Sequence, residues 1–191
     1  MEHLRKQIEA FEPYNPQEET DRQLLLQWLD WDGDILSRDN LTAHLTASAW
    51  VVSPDKTKVL MAYHNLYNSW AWLGGHADGE ADLQAVAARE AMEESGIRQV
   101  RPLGDSPISV EILTVSGHEK KGNYVPCHLH LNVTYLFEAN PEEPLQIKAD
   151  ENSQVGWILV DEIPEKSTEP WFVERIYAKL CARMHTLSPH D

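Results

Sequence analysis

The sequence predicts an α/β protein, a mixed sheet sandwiched between helices and preceded by a short helical segment. Three observations predict it. Apolar residues recur at helical spacing over roughly the first thirty positions, and the period shortens to two after Thr42. One helical stretch, Asp82 to Ser95, is then interposed among strand-like runs, and a second closes the chain. Strands with an interposed helix and a terminal helix form the pattern of a sheet covered on both faces.

The elements follow in order. Leu4, Ile8 and Phe11 share one face of a first helix, which Pro13 and Pro16 interrupt. A second stretch, Glu18 to Leu29, carries Leu24, Leu25, Trp28 and Leu29, and Asp32-Gly33-Asp34 ends it with turn chemistry. Residues 1–40 therefore read as a helical appendage to a main domain over residues 41–191. Two helices are too few for their own core, so their apolar faces must bury against the main domain or a second chain, as in a homodimer. His44 to Val52 and Lys58 to Tyr63 read as strands joined by a turn at Ser53-Pro54-Asp55. Gly96 stands where the helix from Asp82 needs a left-handed cap. Further strands are expected over Ser109–Val115, His128–Glu138 and Val155–Leu159, and a closing helix over Glu169–Met184. The stretch from Asn140 to Pro144 reads as a surface loop.

Composition narrows the function. The 191 residues suit one domain with a full core. Acidic residues outnumber basic ones 31 to 16, for a net charge of −15, which argues against general nucleic-acid binding. A small anionic substrate stays compatible, because a bound metal ion inverts the local field. Cys127 and Cys181 lie far apart and read as reduced thiols. No apolar run reaches the ~18 residues of a membrane helix. The opening MEHLRKQIEAFEPY is charged where a signal peptide needs an apolar core, so a cytoplasmic location is expected.

The chemistry concentrates between Gly74 and Ile97. A loop, Gly74-Gly75-His76-Ala77-Asp78-Gly79-Glu80, leads into a helix ending Arg89-Glu90-Ala91-Met92-Glu93-Glu94-Ser95-Gly96-Ile97. Leu83, Val86, Ala87, Glu90 and Glu94 fall on one stripe of that helix, with Glu93 beside it. The face thus begins apolar and ends in carboxylate. Like charges at this spacing repel, and they sit at the helix end that the macrodipole makes negative. A hard divalent cation relieves both problems, and oxygen ligands suit Mg2+ or Mn2+. Glycines before the helix let backbone approach phosphate or metal-bound oxygens closely.

This stretch resembles the Nudix box, which reads Gly, five residues, Glu, seven residues, then Arg-Glu-apolar-x-Glu-Glu-x-Gly-apolar. Gly75, Arg89, Glu90, Glu93, Glu94, Gly96 and Ile97 match in register. The resemblance implies a Nudix-type α/β/α sandwich and a metal-dependent hydrolase that cuts a phosphoanhydride bond in a nucleoside diphosphate linked to another group. On that implication Glu90 and Glu94 hold Mg2+ or Mn2+, with Glu93 bound directly or through water and Gly75 offering backbone. Arg89 and Glu93 support catalysis. The loop Gly-Gly-His-Ala-Asp-Gly, preceded by Trp70 and followed later by His128-Leu129-His130, is similar to one branch of the family. Two positions depart from the pattern. Ala81 stands where the first glutamate belongs, with Glu80 one place early, and Ala91 is a small apolar residue.

Other candidates are weaker signals. Arg89 is expected to pair with Glu93 at i, i+4. His128 and His130 alternate with Leu129, Leu131 and Val133, so both face the polar side of their strand. With Cys127 beside them they hint at zinc, but one His-x-His supplies too few ligands. They read as substrate-facing or solvated, and His76 as substrate-facing in the loop. Trp70 and Trp72 precede the glycines, where stacking on a base competes with core packing. For a general base, Glu151 is the first choice, followed by Glu111 and His118. The expected partner is a small-molecule nucleotide. Two rivals share the fold: a sensor that binds a nucleotide-sugar uncut, to which Ala81 gives weight, and an isoprenyl-diphosphate-type isomerase, for which Cys127 would have to serve.

Overall fold

In the computed structural model, which describes residues 1–65, 67–120, 122–148 and 152–186, α1 (Glu2–Ala10) and α2 (Pro16–Leu29) open the chain. Pro16 begins α2, in the first turn where its missing N–H is not needed. The Asn15 side chain caps that turn, accepting from the Glu18 N–H at 2.9 Å.

The sheet follows as β1 (Ala43–Val52), β2 (Lys58–His64), β3 (Ser69–Ala71) and β4 (Leu73–His76). After α3 (Leu83–Ser95) come β5 (Arg101–Pro102), β6 (Ser109–Val115), the small hairpin β7 (His118–Lys120) and β8 (Asn123–Val125), then β9 (His128–Glu138) and β10 (Asn152–Leu159). The main order is β10-β2-β1-β9-β5, with β3 on β2, β4 on β1 and β6 on β9. The sheet is mixed: β1 and β9 run parallel from Ala43 opposite Leu129 to Val52 opposite Glu138, whereas β4, β6 and β10 pair antiparallel. A short 3-10 turn (Val160–Glu162) and α4 (Ile163–Lys166) follow. The expected closing helix is α5 (Pro170–Phe172), a π-helical turn (Val173–Tyr177) and α6 (Ala178–Arg183) in succession.

Every residue of β1 is buried, as befits a strand covered on both faces. Its odd positions, Ala43 through Val51, pack with Leu83, Val86, Ala87 and Ala91 of α3. Leu4, Ile8, Phe11 and Leu25 of the first two helices, and Ile35 after them, lie in that same cluster. On the opposite face Trp50, Met61 and Leu136 meet Ile176, Tyr177 and Leu180. Asp82 caps α3 by accepting from the Ala85 N–H at 3.0 Å, and Gly96 ends it at φ 72°. A Cβ at Gly96 would strike Gln146 at 2.6 Å, so glycine is required there twice over.

The even positions of β1 and β9 carry a polar row through the interior. Thr46 and Ser48 donate to Asn132 Oδ1 at 3.0 and 2.9 Å, and Asn132 Nδ2 donates to Glu111 at 3.0 Å. Lys179 from α6 then bridges Glu111 and Glu18 at 3.0 and 2.7 Å, with Arg183 on Glu18 at 3.3 Å. This row crosslinks α2, β1, β6, β9 and α6.

Candidate active site

Close approach, more than sequence propensity, makes Gly74 and Gly75 a strand. β4 lies between β1 and α3, and a Cβ on Gly74 would come within 2.5 Å of the Ala47 carbonyl oxygen. A Cβ on Gly75 would come within 2.5 Å of the Glu90 carboxylate. The glycines expected in a loop thus sit in a strand whose bare backbone faces the acidic end of α3.

The three carboxylates of α3 have different surroundings. Glu94 is only 6% exposed, and its Oε2 accepts from the Gly74 N–H at 3.0 Å. Asn152 Nδ2 donates to its Oε1 at 3.4 Å. Glu90 lies over Gly75 and meets Arg89 at 3.1 Å. Glu93 stays half exposed, 3.8 Å from Arg89 and 3.9 Å from Lys148. Arg89 therefore makes the expected pair with Glu93 and a closer one with Glu90.

The turn between β4 and α3 is held from outside. Asp78 and Gly79 adopt φ of 48° and 92°, and Arg38 grips both oxygens of Asp78. That hydrogen-bonded guanidinium holds the Asp78 carboxyl below the usual range, against the opposing effect of partial burial. Glu80, the carboxylate one place early, accepts from the Asp82 N–H at 2.9 Å. It serves the start of α3, a local bond that its position just before the cap makes easy.

Four imidazoles gather beside β4. His44 and His130 are direct partners across β1 and β9, and His76 sits opposite Thr46 on the other side of β1. Ring centroids of His44 lie 5.1 Å from His76, 4.8 Å from His128 and 5.1 Å from His130. The face expected from His128 and His130 is polar but not solvated: His128 is buried and His130 half-buried. Burial, reinforced by His76, His44 and His128, pushes His130 down to about 2. Burial also lowers His44, while its contact with the Asn40 carbonyl acts the other way.

The remaining candidates separate. Trp70 packs edge-on against Tyr63 at 5.9 Å, and Trp72 against Phe172 and Tyr177 in the second core. Glu111 is 1% exposed and engaged by Lys179, Asn132 and Ser109, so it belongs to the interior row and not to the α3 carboxylates. His118 lines a cleft with Tyr67, Thr114, Glu169 and Trp171. The Cys127 thiol accepts from the Gly117 N–H at 3.1 Å, on the turn leading to β7. Glu151 lies outside the described residues. Sequence reasoning missed Asn152, Arg38 and His44. Asn152 stood next to a residue singled out for its charge, while the other two gain meaning only from partners distant in sequence.

Comparison with known proteins agrees with this architecture. No curated protein sequence is similar enough to match. An Ap4A hydrolase of C. elegans, solved as a binary complex, superposes with TM-score 0.50 at 17% identity, covering 74% of this chain and 98% of that one. A NUDIX-family hydrolase from Clostridium perfringens gives 0.51 at 19%, covering 76% and 98%. RenU, a Nudix hydrolase from M. smegmatis, gives 0.53 at 18%, covering 83% and 98%. At such identities the likeness is one of fold. The sequence itself matches the NUDIX domain over residues 42–180, a span that takes in β1, the box and the closing helical turn, and the chain therefore belongs to the Nudix family.

Proposed function

We propose that the chain is a divalent-metal-dependent hydrolase that cuts a phosphoanhydride bond in a nucleoside diphosphate linked to a further group, releasing a nucleoside monophosphate. The observation that carries this reading is the packing of Glu90 and Glu94, four residues apart on α3, onto the bare backbone of Gly74 and Gly75. Carboxylates stacked at the negative end of a helix repel each other and the macrodipole. Hard oxygen donors beside two strand positions with no room for a Cβ suit Mg2+ or Mn2+. Glu90 and Glu94 would hold the ion, with Glu93 and the Gly75 backbone completing the set. When bound, such an ion neutralises charge on diphosphate oxygens and lowers the pKa of water.

The chain's own groups then divide the work. The Gly74 N–H and the Asn152 amide fix the orientation of Glu94. Arg89 restrains Glu90 and Glu93. Glu151, next to Asn152 in sequence, is the proposed general base, and His76, His128, His130 and Trp70 are the proposed border of the nucleotide substrate. The net charge of −15 fits a small substrate better than a nucleic acid.

The test is direct. The purified chain, given Mg2+ or Mn2+ and a panel of nucleoside diphosphate derivatives, should release monophosphate from at least one. Tight nucleotide binding with no product would favour a sensor. The Glu80 bond to Asp82, with Ala81 at the expected glutamate position, is the observation on that side.

A further inference from the structure

The imidazoles beside β4, three of them proposed above to border the substrate, also have a geometry that suits a metal ion. We propose that His44, His76 and His130 bind a late first-row divalent ion, Zn2+ foremost, at a site separate from the carboxylates of α3. One ligand atom from each ring lies within 4.8 Å of the other two. Tetrahedral Zn–N bonds of ~2.0–2.1 Å place ligand nitrogens about 3.3 Å apart, so each ring must move by at most about 0.8 Å. Small χ rotations supply that, because the strands themselves are already in register.

The hydrogen bonds set the rings for ligation. His44 is 3% exposed, and its Nε2 is buried without a partner. Its Nδ1 lies 3.0 Å from the Asn40 carbonyl oxygen. A carbonyl only accepts, so Nδ1 carries the proton and Nε2 presents a lone pair into the cluster. A ligating histidine is commonly held in this way through its other nitrogen. An unmet acceptor in the interior is costly, and a cation there would satisfy it. His128 repeats the device: its Nδ1 meets the Pro126 carbonyl at 2.8 Å, and its Nε2 points to the His130 Nε2 at 3.2 Å. With Nδ1 donating to that carbonyl, the His128 Nε2 accepts from the His130 Nε2–H, which leaves Nδ1 as the lone pair that His130 offers.

Ligand chemistry keeps the two sites apart. Neutral imidazoles favour zinc and its late first-row neighbours, whereas the α3 carboxylates favour Mg2+ or Mn2+. His76 and His130 are only half-buried, which leaves an entry path. An ion held here would tie β4 to β1 and β9, immobilising the strand that carries Gly74 and Gly75. The proposal does not depend on the hydrolase reading, since it concerns binding of metal alone.

The experiment uses the full chain stripped with a chelator and titrated calorimetrically with Zn2+, with Co2+ as a spectroscopic probe. One Zn2+ per chain is expected, with a raised melting temperature. Binding should survive Glu90→Gln with Glu94→Gln and be lost in His76→Gln and in His130→Gln. Should those histidine variants unfold by far-UV circular dichroism, the Co2+ complex of the unaltered chain decides. Strong visible bands of a tetrahedral nitrogen site support the proposal, and a weak octahedral spectrum overturns it. It is also overturned if Zn2+ does not bind, or if binding follows the glutamates. A rise in KM in the histidine variants, with no Zn2+ taken up by the unaltered chain, would likewise overturn it and leave the rings as substrate contacts.

Discussion

Glu18 and Glu111 are buried together with the cation that joins them, whereas Glu90 and Glu94 are turned inward against a glycine strand with a half-exposed arginine for company. In the first region two carboxylates meet Lys179 and Arg183, so charge is balanced within the fold. In the second, Arg89 meets Glu90 at 3.1 Å, and both contacts to Glu93, from Arg89 and Lys148, are as long as 3.8 and 3.9 Å. Glu94 itself receives the neutral donors of Gly74 and Asn152. A cluster closed by its own cations holds elements together. A cluster of carboxylates with glycine beside it fits the proposed binding of a cation from outside.

The sharpest way to break this comparison is Lys179→Met. It leaves two carboxylates at 1% exposure without their bridging ammonium. Loss of one partner from a buried pair typically costs ~3–5 kcal/mol, and urea unfolding at neutral pH should show a loss of that order. A change within a few tenths of a kcal/mol would mean that the interior row is not closed by Lys179.

Glu94→Gln should show the opposite profile. Turnover should fall at least ~10²-fold, as expected when a charge that holds metal at the reacting centre is removed. Stability without metal should stay level or rise, because a repelling charge is gone from the helix end. Mg2+ or Mn2+ should raise the melting temperature of the unaltered chain and not of the variant. A less than threefold effect on turnover with the true substrate would put Glu94 on the structural side of the comparison.

Asn152→Ala is a milder probe of the same site. Its amide is 1% exposed and orients Glu94 without standing in for it. Groups that orient a metal ligand typically matter ~10–100-fold in affinity or activity, and an effect near the lower end is expected because the contact is 3.4 Å long. Metal titration of the variant should show weakened binding, and unchanged affinity would detach Asn152 from the site.

The same contrast explains what was legible in the sequence. α3 announced itself through Leu83, Val86 and Ala87 at helical spacing and through Gly96, and its carboxylates were visible as an extension of that face. β1 and β9 were legible as alternating runs. β4 was not, because Gly74 and Gly75 have little strand propensity and are held by pairing with β1. The Glu18–Lys179 pair spans 161 positions, so no local pattern announces it. The histidine cluster is similar: only His128 and His130 are neighbours in sequence, and register brings in His44 and His76. Pro16, read as a break, begins a helix, since proline is tolerated in a first turn as readily as it ends a last one.

The smallest expected effect lies at the join between the two regions, where Arg38 from the opening segment holds Asp78 in the turn before α3. Both side chains are nearly half exposed, so Arg38→Gln should cost below about 1 kcal/mol at neutral pH. The pH dependence gives the loss a signature. Arg38 holds the folded Asp78 carboxyl below its ordinary value, so the unfolded chain takes up the proton first as pH falls. The pair's contribution is therefore complete above the unfolded value of about 4 and disappears as pH drops through the lower folded value. Urea unfolding of the unaltered chain and the variant should differ slightly at pH 7 and converge in acid below about pH 4. A difference that persists unchanged into that range would show that Arg38 stabilises the fold through some other contact, and the turn before α3 would then owe its shape to Gly79 and the Asp82 cap.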